Sequence, residues 1–235
     1  LEILTRFKGI RSVDPGECPF QSPGCSFFMS DVISFDRTHS NPLLIVVSGP
    51  SGVGKDSVIQ ALKRRELPMH VVVTSTNRKP RPNEVNGVDY YFISTAQFEE
   101  MIRCDELIEH AIVYGDYKGI PKAQIRDAFA TGKDVILRVD VQGAARLRQL
   151  FPEAVLIFLM PANMDEWIRR LEDRHSETEE SLRRRITTAK GELEHLDEFD
   201  YVVVNADCRL ENAVDEIVSI VSAEHHRVHP RKISV

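Results

Sequence analysis

The sequence predicts an α/β protein, with a parallel sheet buried on both faces and helices packed on either side. Three observations carry this. Short continuous apolar runs such as Leu43-Leu44-Ile45-Val46-Val47 recur along the chain, as strands covered on both faces require. Helical patterns alternate with these runs. The first run leads straight into a glycine-rich loop that opens a helix, the setting in which such a loop cradles phosphate.

The elements follow in order. Residues 1–40 contain DPGE, SPGCS and HSNP without sustained periodicity, and read as a loop-rich extension. The chain begins at Leu1, so a processed or trimmed start is expected, although the mixed charge of this stretch is not itself that of a transit peptide. The character changes after Pro42. Beyond the first strand and the loop, Val58, Ile59 and Leu62 fall at helical spacing between Lys55 and about Arg65. Further buried strands are expected at 71–73, 135–139, 155–159 and 201–204, with helices at about 121–131, 142–150, 163–174, 178–197 and 209–225. Two stretches break the alternation. Asp89-Tyr90-Tyr91-Phe92 and residues 106–117 read as short strands of a small β-rich insert, and DRHSETEE at 173–180 is a polar insert without apolar anchors. The expected domain therefore runs from 41 to 229, with 230–235 as a tail.

Composition sets limits on function. A chain of 235 residues, 42% hydrophobic and 28% charged, can bury a sizeable core. The net charge of −6 offers no bulk attraction to nucleic acid or to anionic membranes. Neither partner is expected, and any phosphate must be bound by local Arg and Lys. The apolar runs are too short to span a bilayer. Cys18, Cys25, Cys104 and Cys208 form no C-x-x-C pair, so reduced thiols are expected rather than zinc or a disulfide framework.

The stretch Gly49-Pro50-Ser51-Gly52-Val53-Gly54-Lys55-Asp56-Ser57 nearly matches the pattern G-x-x-x-x-G-K-[ST]. Its backbone N–H groups are expected to cradle phosphates, with Lys55 reaching between the β- and γ-phosphates. Asp56 occupies the slot that normally holds a metal-binding hydroxyl. Either it ligates Mg²⁺, or it serves as a helix-start carboxylate and Ser57 supplies the metal hydroxyl. Downstream, TSTNRKPRPNEVNGVDYYF at 74–92 holds Arg78 and Arg81 in a loop stiffened by Pro80 and Pro82. Two guanidinium groups converging on one anion suit a phosphate monoester, and Tyr90 adds a hydroxyl. A solvated basic loop has equal weight on this segment alone. Asp140 ends a buried strand, where parallel sheets open onto their ligands, and is also placed to cap the following helix.

These motifs occur in a fixed series. An S/T-rich strand, R-x-x-R, E-V-N-G-x-D-Y-x-F, Leu107-Ile108-Glu109, D-x-Q-G at Asp140 and R-L-x-x-R…E-T-E-E-S…R follow one another from Pro42 to about His229. The series resembles the guanylate kinase family. The resemblance implies the P-loop nucleoside monophosphate kinase fold, with a small β-rich GMP-binding region at about 74–130 and a helical lid at about 170–185. It implies transfer of a phosphoryl group from ATP, with Mg²⁺, to GMP or dGMP, and a monomer. In this chain Arg78, Arg81 and Tyr90 would grip the GMP phosphate, Thr74 would lie near the guanine, and Glu109 would accept its N1–H and amino donors. Asp140 would sit by the phosphates or metal. Arg170, Arg174 and Arg185 would close over the transferring group, and Asn205 would sit near the adenine. The rival readings are a non-catalytic guanylate-kinase-like binding module and a kinase for another base; Lys55, Arg170, Arg174 and Arg185 favour the enzyme.

The chain departs from the family pattern at three places. Asp56 stands for Ser or Gly. Arg138 stands where the family often has an acidic residue that helps hold guanine. Lys118-Gly119-Ile120-Pro121 replaces Tyr-Gly-Ser/Thr, which removes a hydroxyl at Ile120. The GKD and KGIP variants are similar to those of plant organellar members and imply a plastid or mitochondrial location, with the cytoplasm as the alternative.

Overall fold

The structure, a computed structural model, describes residues 41–82, 84–113, 115–172 and 179–234, the side chains at 179–182, 184 and 185 excepted. The expectations for 1–40 and for most of the polar insert lie outside these residues. In chain order, the first half holds β1 (Leu44–Ser48), α1 (Lys55–Arg64), β2 (Met69–Val71), β3 (Thr74–Thr76), β4 (Tyr90–Phe92), α2 (Thr95–Arg103), β5 (Leu107–Val113) and β6 (Asp116–Pro121). The second half holds α3 (Lys122–Ala130), β7 (Asp134–Arg138), α4 (Val141–Leu150), β8 (Val155–Met160), α5 (Met164–Glu172), α6 (Glu179–Leu193), β9 (Tyr201–Val204) and α7 (Leu210–His225).

The core sheet has the order β2-β7-β1-β8-β9, and every pairing in it is parallel. Alternate residues of β1 explain why it reads as one apolar run. Ile45 and Val47 join Val58 and Leu62 of α1 and Ala213 and Ile217 of α7 on one face. Leu44 and Val46 join Ile125 of α3 and Leu147 of α4 on the other. Each fully buried aliphatic side chain contributes roughly 1.5–3 kcal/mol. The chain after β2 skips to the small sheet, so β7 lands beside β1 on one side and β8 on the other. That reversal is the switch point where such sheets open a crevice at the strand C-termini, and the glycine-rich loop leaves β1 there.

The small sheet has the order β4-β3-β6-β5. Here β3 pairs parallel with β4, while β6 runs antiparallel to both β3 and β5. Helix α2 interrupts the expected run of short strands. A capping box begins it: the Gln97 N–H donates to Ser94 Oγ (3.2 Å), and the Ser94 N–H donates to Gln97 Oε1 (2.9 Å). It anchors through fully buried Phe98, which stacks on Tyr117 at 5.0 Å.

The expected boundary at 229 is corrected. Arg231 is 9% exposed. It donates to both oxygens of Glu224 and to the Ala154 carbonyl, and Ile233 packs on the core. The segment completes the domain by giving buried Glu224 a two-pronged partner beside Arg227 and the Tyr201 hydroxyl. Arg231→Ala removes the two-pronged partner of this carboxylate, leaving Arg227 and Tyr201, and should cost about 2 kcal/mol. Urea unfolding of the two proteins measures it; a loss below about 0.5 kcal/mol, typical of surface changes, would return 230–235 to the status of a tail.

Candidate active site

The loop between β1 and α1 is held by its carbonyls. Lys55 Nζ donates to the carbonyls of Gly49 (2.5 Å) and Pro50 (3.1 Å). Trp167 Nε1 donates to Ser51 O (2.8 Å). Asn205 Nδ2 (2.8 Å) and Arg170 Nη1 (3.2 Å) both donate to Val53 O. Two glycines are required by space as well as by conformation. Gly49 has φ 136°, and a Cβ there would lie 2.3 Å from Leu159 O. Gly54, at φ 95°, caps α1 and would meet the Asn205 amide at 2.5 Å. The first turn of α1 then leaves its N–H groups without intrahelical partners, as any helix start does, and adds the positive end of its dipole.

Across the cleft stands the small sheet. The cleft is lined on the loop side by Ser51, Gly52, Gly54, Lys55 and Asp56, and opposite by Thr74, Arg78, Arg81, Tyr90 and Glu109, with Asp140 between. The structure thus brings together most of the residues expected to bind the two substrates. Glu84 organises the arginine loop: it takes a two-pronged bond from Arg78 at 2.9 Å and accepts the Arg81 backbone N–H at 2.7 Å. Glu109 is 6% exposed. It follows a bulge in β5, where the register against β6 shifts between Leu107 and Glu109, a device that re-aims a side chain. Its carboxylate lies where a Cβ on Gly143 would come within 3.3 Å of Oε1. Burial, helped by the negative charge of Asp140, pushes its carboxyl up to about 7. Asp140 lines the cleft, and its Oδ1 accepts the Gly143 N–H at 2.8 Å to cap α4, as expected of a cap.

Several expectations are corrected. Ser57, the expected metal hydroxyl, is exposed and not part of the cleft lining, whereas Asp56 faces the cleft. The cause is helical: successive residues of α1 are rotated by roughly 100°. Asn205 is away from the cleft lining as well, because its amide is spent on Val53 O. Arg170 does not line the cleft either. Its guanidinium is fixed by Asp207, Val53 O, Asn205 O and Glu166, so it braces the loop from behind. Arg174 lies outside the described residues, as does the side chain of Arg185. Ile120 is fully buried in the core, which explains an apolar residue in that slot.

Six cleft residues were not expected as site residues: Val113, Asp116 and Val139, and the charged Lys118, Arg138 and Glu192 considered next. Burial lowers the Lys118 ammonium, against the pull of Asp140 and Asp56. Burial raises the Glu192 carboxyl, and the nearby Lys55 opposes this. Arg138 donates to Asp56 Oδ1 at 2.5 Å. Burial alone would raise the Asp56 carboxyl, but Arg138, then Lys55, outweigh it and hold it below the usual carboxylate range. Two separate departures in the sequence are therefore one ion pair.

A phosphate loop at the switch point of a parallel sheet, facing a second anion grip on a small sheet, defines a P-loop nucleoside monophosphate kinase fold. Residues 41–224 match the guanylate kinase family model, and the chain belongs to the guanylate kinase family. It is 50% identical over 83% of its length to a rice protein named guanylate kinase 2, chloroplastic/mitochondrial, covering 68% of that protein. It is 47% identical over 78% of its length to a guanylate kinase of Halalkalibacterium halodurans, covering 89% of that one. A solved guanylate kinase from Anaplasma phagocytophilum superposes with TM-score 0.66 at 30% identity, covering 80% of this chain and 89% of that one.

Burial lowers the Lys55 ammonium to about 8, against the opposing charge of Glu192. Phosphate beside it would raise the value again. Binding of ATP at about pH 8.5 should therefore take up protons, because Lys55 is mostly neutral before binding and charged after it. Calorimetry in two buffers of different ionisation enthalpy reads the uptake, and Lys55→Met should abolish it. Equal apparent enthalpies for the wild type would contradict this assignment.

Proposed function

We infer that this chain transfers the γ-phosphoryl group of ATP to GMP, and to dGMP, giving ADP and GDP. The observation that carries this is a single cleft in which the phosphate loop faces a two-arginine anion grip with a buried carboxylate beyond it. Gly49 to Lys55 hold the donor phosphates. Arg78, Arg81 and Tyr90 hold the acceptor phosphate, and Thr74 lies toward the base. Glu109 accepts the two adjacent donors on one edge of guanine. Adenine lacks the ring N–H and would leave a buried carboxylate oxygen unpaired, at about 1–3 kcal/mol or more.

An oxygen of the GMP phosphate attacks the γ-phosphorus in line, and the bond to the bridging oxygen breaks as ADP leaves. The attacking oxygen is already anionic, so no side-chain base is needed. Positioning and charge stabilisation dominate. Arg174 and Arg185 are the arginines proposed to close from the lid, and Arg170 supports them through the loop. The donor set fits a Mg²⁺ arriving with ATP. Asp56 offers a hard oxygen at the loop, and Mg²⁺ takes one or two carboxylates beside phosphates and water. Among the described residues no three His, Cys, Asp or Glu side chains cluster as a metal cage. When bound, the ion would neutralise charge on the donor phosphates. The similarity to the rice chloroplastic/mitochondrial protein supports a plastid or mitochondrial location.

A coupled assay of ADP release with GMP, dGMP, AMP, UMP and CMP tests the function. GMP and dGMP should be used far better than the rest, and Glu109→Gln should remove most of that preference. Comparable use of AMP by the wild type would refute the role given to Glu109. The same carboxyl gives a pH signature. Guanine donors favour its ionised form, so GMP affinity should weaken as pH falls through about 7, approaching tenfold per pH unit in the one-group limit. Glu109→Gln lacks this component, so its affinity should vary with pH only through the phosphate of GMP. Parallel pH profiles in the two proteins would rule out the titration of Glu109.

A further inference from the structure

Arg138 ends β7, in register with Val47 at the C-terminal edge of β1. It therefore stands beside the mouth of the phosphate loop. Its side chain is 9% exposed, and three contacts fix its plane. Nη1 donates to Asp56 in the first turn of α1, and Nη2 donates to the Asp89 carbonyl at 2.9 Å. The guanidinium lies 4.3 Å from the centroid of the Tyr90 ring. Asp56 belongs to the donor side of the cleft and Tyr90 to the acceptor side, so Arg138 touches both. The guanidinium of Arg78 also stands over the Tyr90 ring, at 5.1 Å. Two cations over one ring repel each other at this range unless an anion lies between them. Lys118 lines the same cleft. The bonds to Asp56 and Asp89 leave further N–H donors on the same planar group.

We propose that Arg138 is a catalytic residue of the phosphoryl transfer, oriented by Asp56 as its positioning residue, and that it bridges the acceptor phosphate and the phosphoryl group in transit. The inference rests on the kinase function above. In the step itself an acceptor oxygen forms a bond to the γ-phosphorus. The bond from that phosphorus to the bridging oxygen breaks, and the electron pair leaves with ADP. No proton moves. The guanidinium stabilises charge on the oxygens that both groups share with the cleft, from a rigid strand end rather than from a mobile lid. A preformed donor of this kind needs no reorganisation when the transition state forms.

The test uses the full chain with saturating Mg²⁺. Arg138→Gln should lower kcat about 100-fold, the scale for losing one preorganised donor. It should weaken GMP binding while leaving the binding of guanosine, which has no phosphate, unchanged. Arg138→Lys should restore part of the rate, and it carries the test if the glutamine variant does not fold. Asp56→Asn should lower kcat about tenfold in the wild-type background, as misplacing a catalytic group does, and by clearly less once Arg138 is Gln, any remaining loss being its part in holding Mg²⁺. A kcat within twofold of wild type in a folded Arg138 variant would overturn the catalytic role. So would an equal loss of guanosine and GMP affinity, which would mark Arg138 as purely structural. An equal effect of Asp56→Asn in both backgrounds would overturn the positioning role. A wild-type protein with no GMP-dependent turnover would overturn the kinase function and this inference with it, a result distinct from an active wild type whose Arg138 variants are unaffected.

Discussion

The site depends on where the carbonyls of one short loop are spent. A loop that binds phosphate through its backbone must turn its acceptors away from the anion and keep its donors toward it. Here the carbonyls of Gly49, Pro50, Ser51 and Val53 are all held by side chains. The four holders come from three places: Lys55 in the loop's own helix, Trp167 and Arg170 on α5, and Asn205 after β9. Glycine at 49 and 54 is the other half of the constraint, because the neighbouring carbonyl and amide approach too closely for any side chain. The sheet contributes by ending β1 between β7 and β8, so that the loop emerges at the crevice.

The charges in the cleft follow from the same geometry. Lys55, Arg78, Arg81, Lys118 and Arg138 share it with Asp56, Glu109, Asp116, Asp140 and Glu192. Without nucleotide, four of these cations take a protein partner or suffer from burial. Arg78 takes Glu84, Arg138 takes Asp56, and Lys55 turns onto loop carbonyls. Lys118 is lowered by burial despite nearby carboxylates. Phosphates supply what is missing, and each added anion relieves repulsion among cations already fixed in place. Much of the ordering of the site is therefore done by folding rather than by binding.

Much of this was legible in the sequence, for reasons that differ by residue. The core strands were plain because both faces of each are covered, so Leu44 and Ile45 are equally apolar. Their boundaries fell within about two residues, the usual disagreement at element ends. Helix α2 is missed although Ser94-x-x-Gln97 spells a capping box and Phe98, Met101 and Ile102 fall at helical spacing; the nine-residue helix lies inside a stretch read as short strands. Thr74, Arg78, Arg81, Tyr90 and Glu109 of the cleft are legible through their motif series, whereas Lys118 on β6 is not. Arg170 and Asn205 lie on the loop's carbonyls and not in the cleft lining, which a linear pattern does not show because it gives residue types and not the hydrogen bonds that consume them. Asp56 and Arg138 looked like two unrelated departures. They lie 82 positions apart, and only the pairing of β1 with β7 brings them together.

That separation has a consequence for how the protein is made. The loop at 49–57 lies near the start of the domain, but its braces lie 116, 117 and 152 residues further along. A chain emerging from a ribosome at about 5–20 residues per second therefore exposes its phosphate-binding sequence for several seconds before Asn205 exists to hold it. During that interval nucleotide has no organised cradle to bind and cannot assist folding of the first half. The capacity to bind nucleotide arrives late and all at once, when α5 and β9 close on the loop. A truncated product that stops before them would lack the side chains that hold the carbonyls of Ser51 and Val53.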